Sequence, residues 1–187
     1  MYYRHVSNTS LLRMTSLLFE PGLLPSHSES QLLSGYTFRP LRSDDFSNGH
    51  LHPLRDLAYI GQVDEAAWNK RFAYMTSCPE TYFVLVITDD NDQIVGTGTL
   101  VAERKFLFET GIQGHIEDVA IVKSHQGQGL GLALLNALSH VAAQIGCYKT
   151  ILDCSAKNVK FYEKCGYNQG GCEMQRYIDE KARQKKV

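Results

Sequence analysis

Residues 114–145, "GHIEDVAIVKSHQGQGLGLALLNALSHVAAQI", restrict the fold more than any other part of the chain. The first nine residues are mostly β-branched or apolar and read as a strand, with an acidic pair, Glu117 and Asp118, in its middle. Leu130, Leu134, Leu138, Val141 and Ile145 then recur at helical spacing, and Gly146 ends the run. Between them stand three glycines at alternate positions, 127, 129 and 131. The next extended-looking run, 148–154, completes a strand–helix–strand unit, whose two strands must lie parallel in one sheet.

A glycine-rich turn between a strand and a helix suits an anion. The first helical N–H groups have no internal partner, the helix dipole favours negative charge there, and glycine lets a phosphate approach the backbone. Two common phosphate loops are excluded. A Walker loop needs Lys and then Ser or Thr after its last glycine, but Leu132 and Ala133 follow Gly131. A dinucleotide fingerprint needs a third glycine at 132 or 134, and both positions are leucine. The pattern that remains is Gln126-x-x-Gly129-x-Gly131.

The rest of the chain supplies more strands and helices. Strands are expected at 36–41, at 81–88 and 94–104 (a hairpin around "DDNDQ"), at 114–122, 148–154 and 172–178. Helices are expected at 51–60, 63–75, 130–145 and 158–166. The order β-α-α-β-β-β-α-β-α-β predicts an α/β (α+β) fold, a mixed twisted sheet flanked by helices. Residues 1–35 read as a flexible extension, with a linker rich in Pro, Ser and Gly at 20–35. The first 19 residues carry Arg4, His5 and Arg13 and no acid, faintly like a transit peptide, but lack an amphipathic pattern or a long apolar core. Residues 36–178 form the domain, and 179–187 a charged tail.

Charge and composition narrow the function. The 187 residues carry a net charge of −1, which argues against nucleic acid or anionic membrane as partner. No apolar run approaches the ~18 residues of a membrane span. Five cysteines without Cys-x-x-Cys spacing argue against a disulfide framework or a zinc site and suit a reducing, cytoplasmic setting. His50 and His52 lack nearby partners, so no metal is expected.

The loop Gln126-x-x-Gly129-x-Gly131 resembles that of the GNAT N-acetyltransferases, which holds the pyrophosphate of acetyl-CoA. "VAERKF", "GHIEDVAI" and "GCYKTILDCSAKNVKFYEKCGY" resemble, in the same order, the glucosamine-6-phosphate N-acetyltransferase family. The resemblance runs from about residue 39 to 178 and is densest at 103–167. It implies transfer of acetyl from acetyl-CoA to the 2-amino group of glucosamine 6-phosphate, by direct attack in a ternary complex, in UDP-N-acetylglucosamine biosynthesis. It implies a homodimer with shared active sites, each drawing on the final strand.

The resemblance also implies roles. Val119, Ala120 and Ile121 would line the pantetheine arm. Gln126, Gly127, Gln128, Gly129, Leu130, Gly131 and Leu132 would wrap the pyrophosphate. Asn158 and Tyr162, at i and i+4 on one helix face, would meet the thiol end, with Tyr162 as hydrogen-bond donor or general acid to the leaving thiolate. Lys105, Phe106, Leu107, Phe108, Glu117, Asp118, Val119 and Asp153 would line the sugar site, with Arg104 and Lys105 as its cations. Adjacent strand residues point to opposite faces, so Glu117 and Asp118 can serve one site only if a bulge intervenes, as in these enzymes. Asp153, expected in the half of the sheet opposite Glu117, competes with it for the amine proton. Ala58, Phe108 and Tyr177 (beside Arg176) stand where a small hydroxyl residue, His and a basic residue are expected. Another amine as acceptor (polyamine, peptide or lysine), or a CoA-binding module without catalysis, stays open.

Overall fold

A computed structural model describes residues 15–26, 32–179 and 181. Five strands, β1 (Tyr36–Pro40), β2 (Tyr82–Asp89), β3 (Ile94–Arg104), β4 (Ile112–Ile121) and β5 (Cys147–Ile151), make one sheet in chain order. The first three pairings are antiparallel and β4·β5 is parallel. The helices are α1 (Leu51–Leu57), α2 (Glu65–Thr76), α3 (Leu107–Thr110), α4 (Leu130–Gln144) and α5 (Val159–Lys164). The expected mixed sheet with flanking helices is the observed architecture.

The apolar pattern of β2 explains the layers. "FVLVI" alternates Phe83, Leu85 and Ile87 to one face and Val84 and Val86 to the other, and all five are buried. The first set packs with Leu130, Leu134, Leu138 and Val141 of α4; the second packs with Trp68 and Phe72 of α2. Gly98 of β3 permits the close seat of α4, since a Cβ there would lie 2.9 Å from the Leu138 Cδ1. The β2–β3 turn is tied by Asp89, whose Oδ1 accepts from the N–H groups of Asn91 and Gln93 at 2.9 Å.

Four expectations are corrected. The first helix stops at Leu57 rather than 60, because Ala58 is extended (φ −157°). The strand at 148–154 starts one residue early and ends at Ile151. The helix at 158–166 covers 159–164 and is preceded by a 3-10 turn, Ala156–Asn158. The strand at 172–178 is absent: the segment is mostly exposed and follows Gly170 and Gly171, and a strand needs a ladder partner, which no described residue provides.

The extension read as flexible, 1–35, falls partly outside the described residues, but part of it packs. The Leu18 N–H donates to the Leu41 carbonyl at 2.8 Å, and Phe19 meets Phe83 edge-on at 5.4 Å. Leu23 and Leu24 join the α4 side of the core.

Candidate active site

The site begins at an irregularity in β4. Thr97 pairs with Ala120 and Thr99 with Glu117, so the single residue Gly98 of β3 opposes two of β4, Asp118 and Val119. Asp118 takes the left-handed backbone (φ +54°) that a bulge of this kind uses. The bulge needed for Glu117 and Asp118 to serve one site is therefore present. Beyond it β4 gains a free edge. The β4·β5 pairing ends at His115↔Ile151, while β4 runs on to Ile121. Residues 116–121 thus have a strand on one side only. Gln126 Nε2 donates to the Ile121 carbonyl at 2.8 Å, so the far end of that edge is capped by the loop itself.

The glycine loop follows directly. Gly127 and Gly129 have positive φ, +78° and +82°, and nothing lies within 4 Å of a Cβ built on either. Gly129 caps α4 without a side-chain hydrogen bond. Among the described residues no acceptor is found for the N–H groups of 127–132. Open space, a helix start and unpaired amides together fit a pyrophosphate. Leu130 is buried in the core, so only its backbone faces the loop. Gly131 has a different reason: a Cβ there would come 3.3 Å from the Phe161 ring of α5. Tyr36 OH donates to Gln128 Oε1 at 3.2 Å, and the Lys123 N–H donates to Asp56 of α1 at 3.1 Å; both hold the loop.

The carboxylates converge at the divergence of the two strands. Asp153 lies two residues beyond the last β5 pair, as Glu117 does on β4. Its expected place, in the half-sheet opposite Glu117, is corrected: β5 is the direct neighbour of β4. Burial and the negative charges of Asp118 and Asp153 raise the Glu117 pKa above its ordinary value, with His115 opposing. Burial also raises that of Asp118. Asp153, Cys154 and Tyr162 line a cavity of about 430 Å³ between the end of β5, α5 and residues 167–173. Burial, then neighbouring Cys154, Cys165 and Tyr167, raise the Tyr162 pKa, which keeps its hydroxyl protonated. Asn158 is exposed just before α5, one turn from Tyr162, outside that cavity's lining.

The two expected cations part company. Arg104 turns to Glu80, pairing at 2.9 Å with the carboxylate and at 2.9 Å with the carbonyl. Lys105 turns to Glu103, its Nζ 2.7 Å from Oε1. Phe106, Leu107 and Phe108 are exposed, with Phe108 in left-handed backbone (φ +52°) and stacked on Tyr148 at 4.4 Å. Ala58 and Tyr177 make no contact with the carboxylates that the structure shows. A polar network was not expected. Glu103, Gln113 and His115 join across β3 and β4, and only the strand register, not local spacing, brings them together.

Comparison with known proteins agrees with this geometry. The acetyltransferase (GNAT) family profile matches residues 38–167. A glucosamine 6-phosphate N-acetyltransferase of Candida albicans is 44% identical over 143 residues, which are 76% of this chain and 96% of that protein. Glucosamine 6-phosphate N-acetyltransferase 1 of Dictyostelium discoideum is 39% identical over 77% of this chain and 92% of its own. The crystal structure of glucosamine-6-phosphate N-acetyltransferase from Arabidopsis thaliana superposes with a TM-score of 0.74 at 34% identity, covering 77% of this chain and 99% of that one. Similarity at this level over nearly the full length of those proteins leaves one assignment: the chain belongs to the acetyltransferase (GNAT) family, among the glucosamine 6-phosphate N-acetyltransferases.

Proposed function

We propose that the chain moves the acetyl group of acetyl-CoA to the 2-amino group of glucosamine 6-phosphate, giving N-acetylglucosamine 6-phosphate and CoA in one ternary complex. The observation that carries this reading is the free edge of β4 leading into six unpaired amides at 127–132. A pantetheine arm can add to such an edge as a short strand, while the loop amides take the pyrophosphate. Acetyl-CoA supplies an activated thioester; the chain supplies everything else.

A β4 N–H on the open edge donates to the thioester oxygen as negative charge develops there, an interaction worth about 3 kcal/mol in rate. Glu117 takes the proton of the sugar ammonium, directly or through water, since its raised pKa moves it toward that task. Asp153 holds the ammonium and supplies part of the charge that raises Glu117. Tyr162 donates a hydrogen bond to the departing sulfur. Its hydroxyl is less acidic than a thiol, so it stabilises the thiolate without needing to give up its proton. Lys105 meets the sugar phosphate, and residues 106–108 border the sugar.

The catalytic domain is residues 36–178, and the acting form is a homodimer. Exposed Phe106, Leu107 and Phe108, with Met174 and Ile178 of the unpaired 172–178 segment, form apolar surface that a second copy can cover. No helix among the described residues is long and apolar enough to cross a membrane. Five free cysteines support a reducing, cytoplasmic location, where the product enters UDP-N-acetylglucosamine synthesis.

Release of free CoA thiol, followed with a thiol reagent across a panel of amines, tests the reading. Release with glucosamine 6-phosphate far above that with glucosamine, spermidine or a lysine peptide is expected. Equal or higher release with a polyamine or peptide refutes the substrate. No release with any amine leaves a CoA-binding module.

A further inference from the structure

The geometry points to Glu103 and His115 as a positioning pair that folds Lys105 back along the sheet, setting the reach of the site for a phosphorylated sugar; this rests on the acetyltransferase reading above. Lys105 follows β3 and stands six positions beyond Thr99, the partner of Glu117. At about 3.3 Å per residue its backbone lies roughly 20 Å along the sheet from the amine-handling carboxylate, too far for one hexosamine phosphate to span. Its side chain does not continue outward. Glu103 takes its ammonium at 2.7 Å through Oε1 and takes His115 Nε2 at 2.9 Å through Oε2. His115 is two residues from Glu117, about 7 Å along β4. The cation is thereby drawn back beside the stripe that ends at Glu117.

The carboxylate of Glu103 is held from behind. His115 Nε2 lies 3.1 Å from the side-chain amide of Gln113, which is only 7% exposed. The other end of that amide bonds Tyr148 OH at 3.0 Å, and Tyr148 stacks on Phe108. A His115 Nε2 that donates to Glu103 cannot also accept from Gln113. Gln113 Oε1 instead accepts from Tyr148 OH, which fixes the amide against the ring of His115. Both oxygens of Glu103 are then engaged, while two of the three donors of Lys105 stay available for phosphate. Arg104, committed to Glu80, does not compete.

Steady-state kinetics of Glu103→Ala, Lys105→Ala and the double variant test the pair, with glucosamine 6-phosphate and with high concentrations of glucosamine. Glu103→Ala should raise KM for glucosamine 6-phosphate about tenfold, with KM for acetyl-CoA and turnover of glucosamine unchanged. The double variant should be no worse than Lys105→Ala alone, because both remove one contact. His115→Asn should shift the same KM in the same direction by about threefold, and serves where Glu103→Ala does not fold. Glu103→Gln, which keeps one acceptor for Lys105, should recover part of the loss. Equal losses with both sugars, or additive losses in the double variant, overturn the inference and leave the acetyltransferase reading standing. A wild type active on another amine but inert to glucosamine 6-phosphate overturns both.

Discussion

Tyr162→Phe deletes one oxygen and little else. Among the described residues the Tyr162 hydroxyl has no hydrogen-bond partner, so no internal bond is broken. The ring keeps its packing, 5.2 Å from Phe161 and 6.2 Å from Tyr167. Stability should therefore change by less than about 0.5 kcal/mol. The rate should change far more. A positioned donor to a leaving group contributes at least ~100-fold, or about 2.7 kcal/mol of barrier. The effect belongs in kcat, since the sulfur carries developing charge only as the C–S bond breaks. CoA release under saturating substrates, with a thermal melt of the same preparation, measures both quantities. The raised pKa of Tyr162 adds a pH signature: burial holds its proton beyond the ordinary tyrosine range, so wild-type kcat should show no downturn from this group between about pH 6 and 9. An unchanged kcat, or a loss of rate matched by a loss of Tm, would remove Tyr162 from the chemistry.

Other perturbations separate stability from catalysis. Asp153→Asn removes a charge that raises the Glu117 pKa, so the acid limb of kcat/KM should move to lower pH, along with a lower kcat; an acid limb that stays put refutes the coupling. Buried His50, accepting from Trp68 Nε1 at 3.1 Å, has its pKa lowered to about 4 by burial. The unfolded chain binds that proton from pH 6.5 down, so the neutral ring's stability is full above 6.5 and is lost as pH falls to about 4, about 3 kcal/mol in all. The thermal midpoint of His50→Gln should fall less steeply over that window than wild type. Gly98→Ala presses a methyl against Leu138 and should cost about 1–3 kcal/mol with acetyl-CoA KM unchanged. Gly129→Ala, with open space but φ +82°, should cost about 1–2 kcal/mol in backbone strain and raise that KM.

Local pattern was enough for much of the fold. The leucine spacing located α4, and the apolar run at 81–88 located β2, which the structure buries on both faces. Reading failed where structure depends on a second segment. "CEMQRYI" alternates well enough for a strand, yet a strand is a relation between two segments, and among the described residues nothing pairs with it. Leu18 and Phe19 precede a stretch punctuated by Pro, Ser and Gly, and that punctuation hid their packing against Leu41 and Phe83. In the candidate site the loop was legible because glycine at alternate positions before a helix has few physical uses. The Glu103–His115 link was not, since it depends on which β3 residue faces which β4 residue. Neither was the split between Arg104 and Lys105, adjacent cations that turn to different carboxylates, Glu80 and Glu103.

One irregularity ties the two substrates together. In a regular β4, Glu117 and Asp118 would point to opposite faces, and β5 could continue beside it past Ile151, closing the edge with its own main chain. The extra residue at 117–119 adds local twist and breaks the register. The bulge that turns two carboxylates toward one site begins two residues past the last β4·β5 pair, His115↔Ile151. Glu117 at the bulge and Asp153 just past the fork of β4 and β5 are close enough to raise the Glu117 pKa through their charges. Asp118, with φ +54°, is the left-handed residue on which that bulge turns.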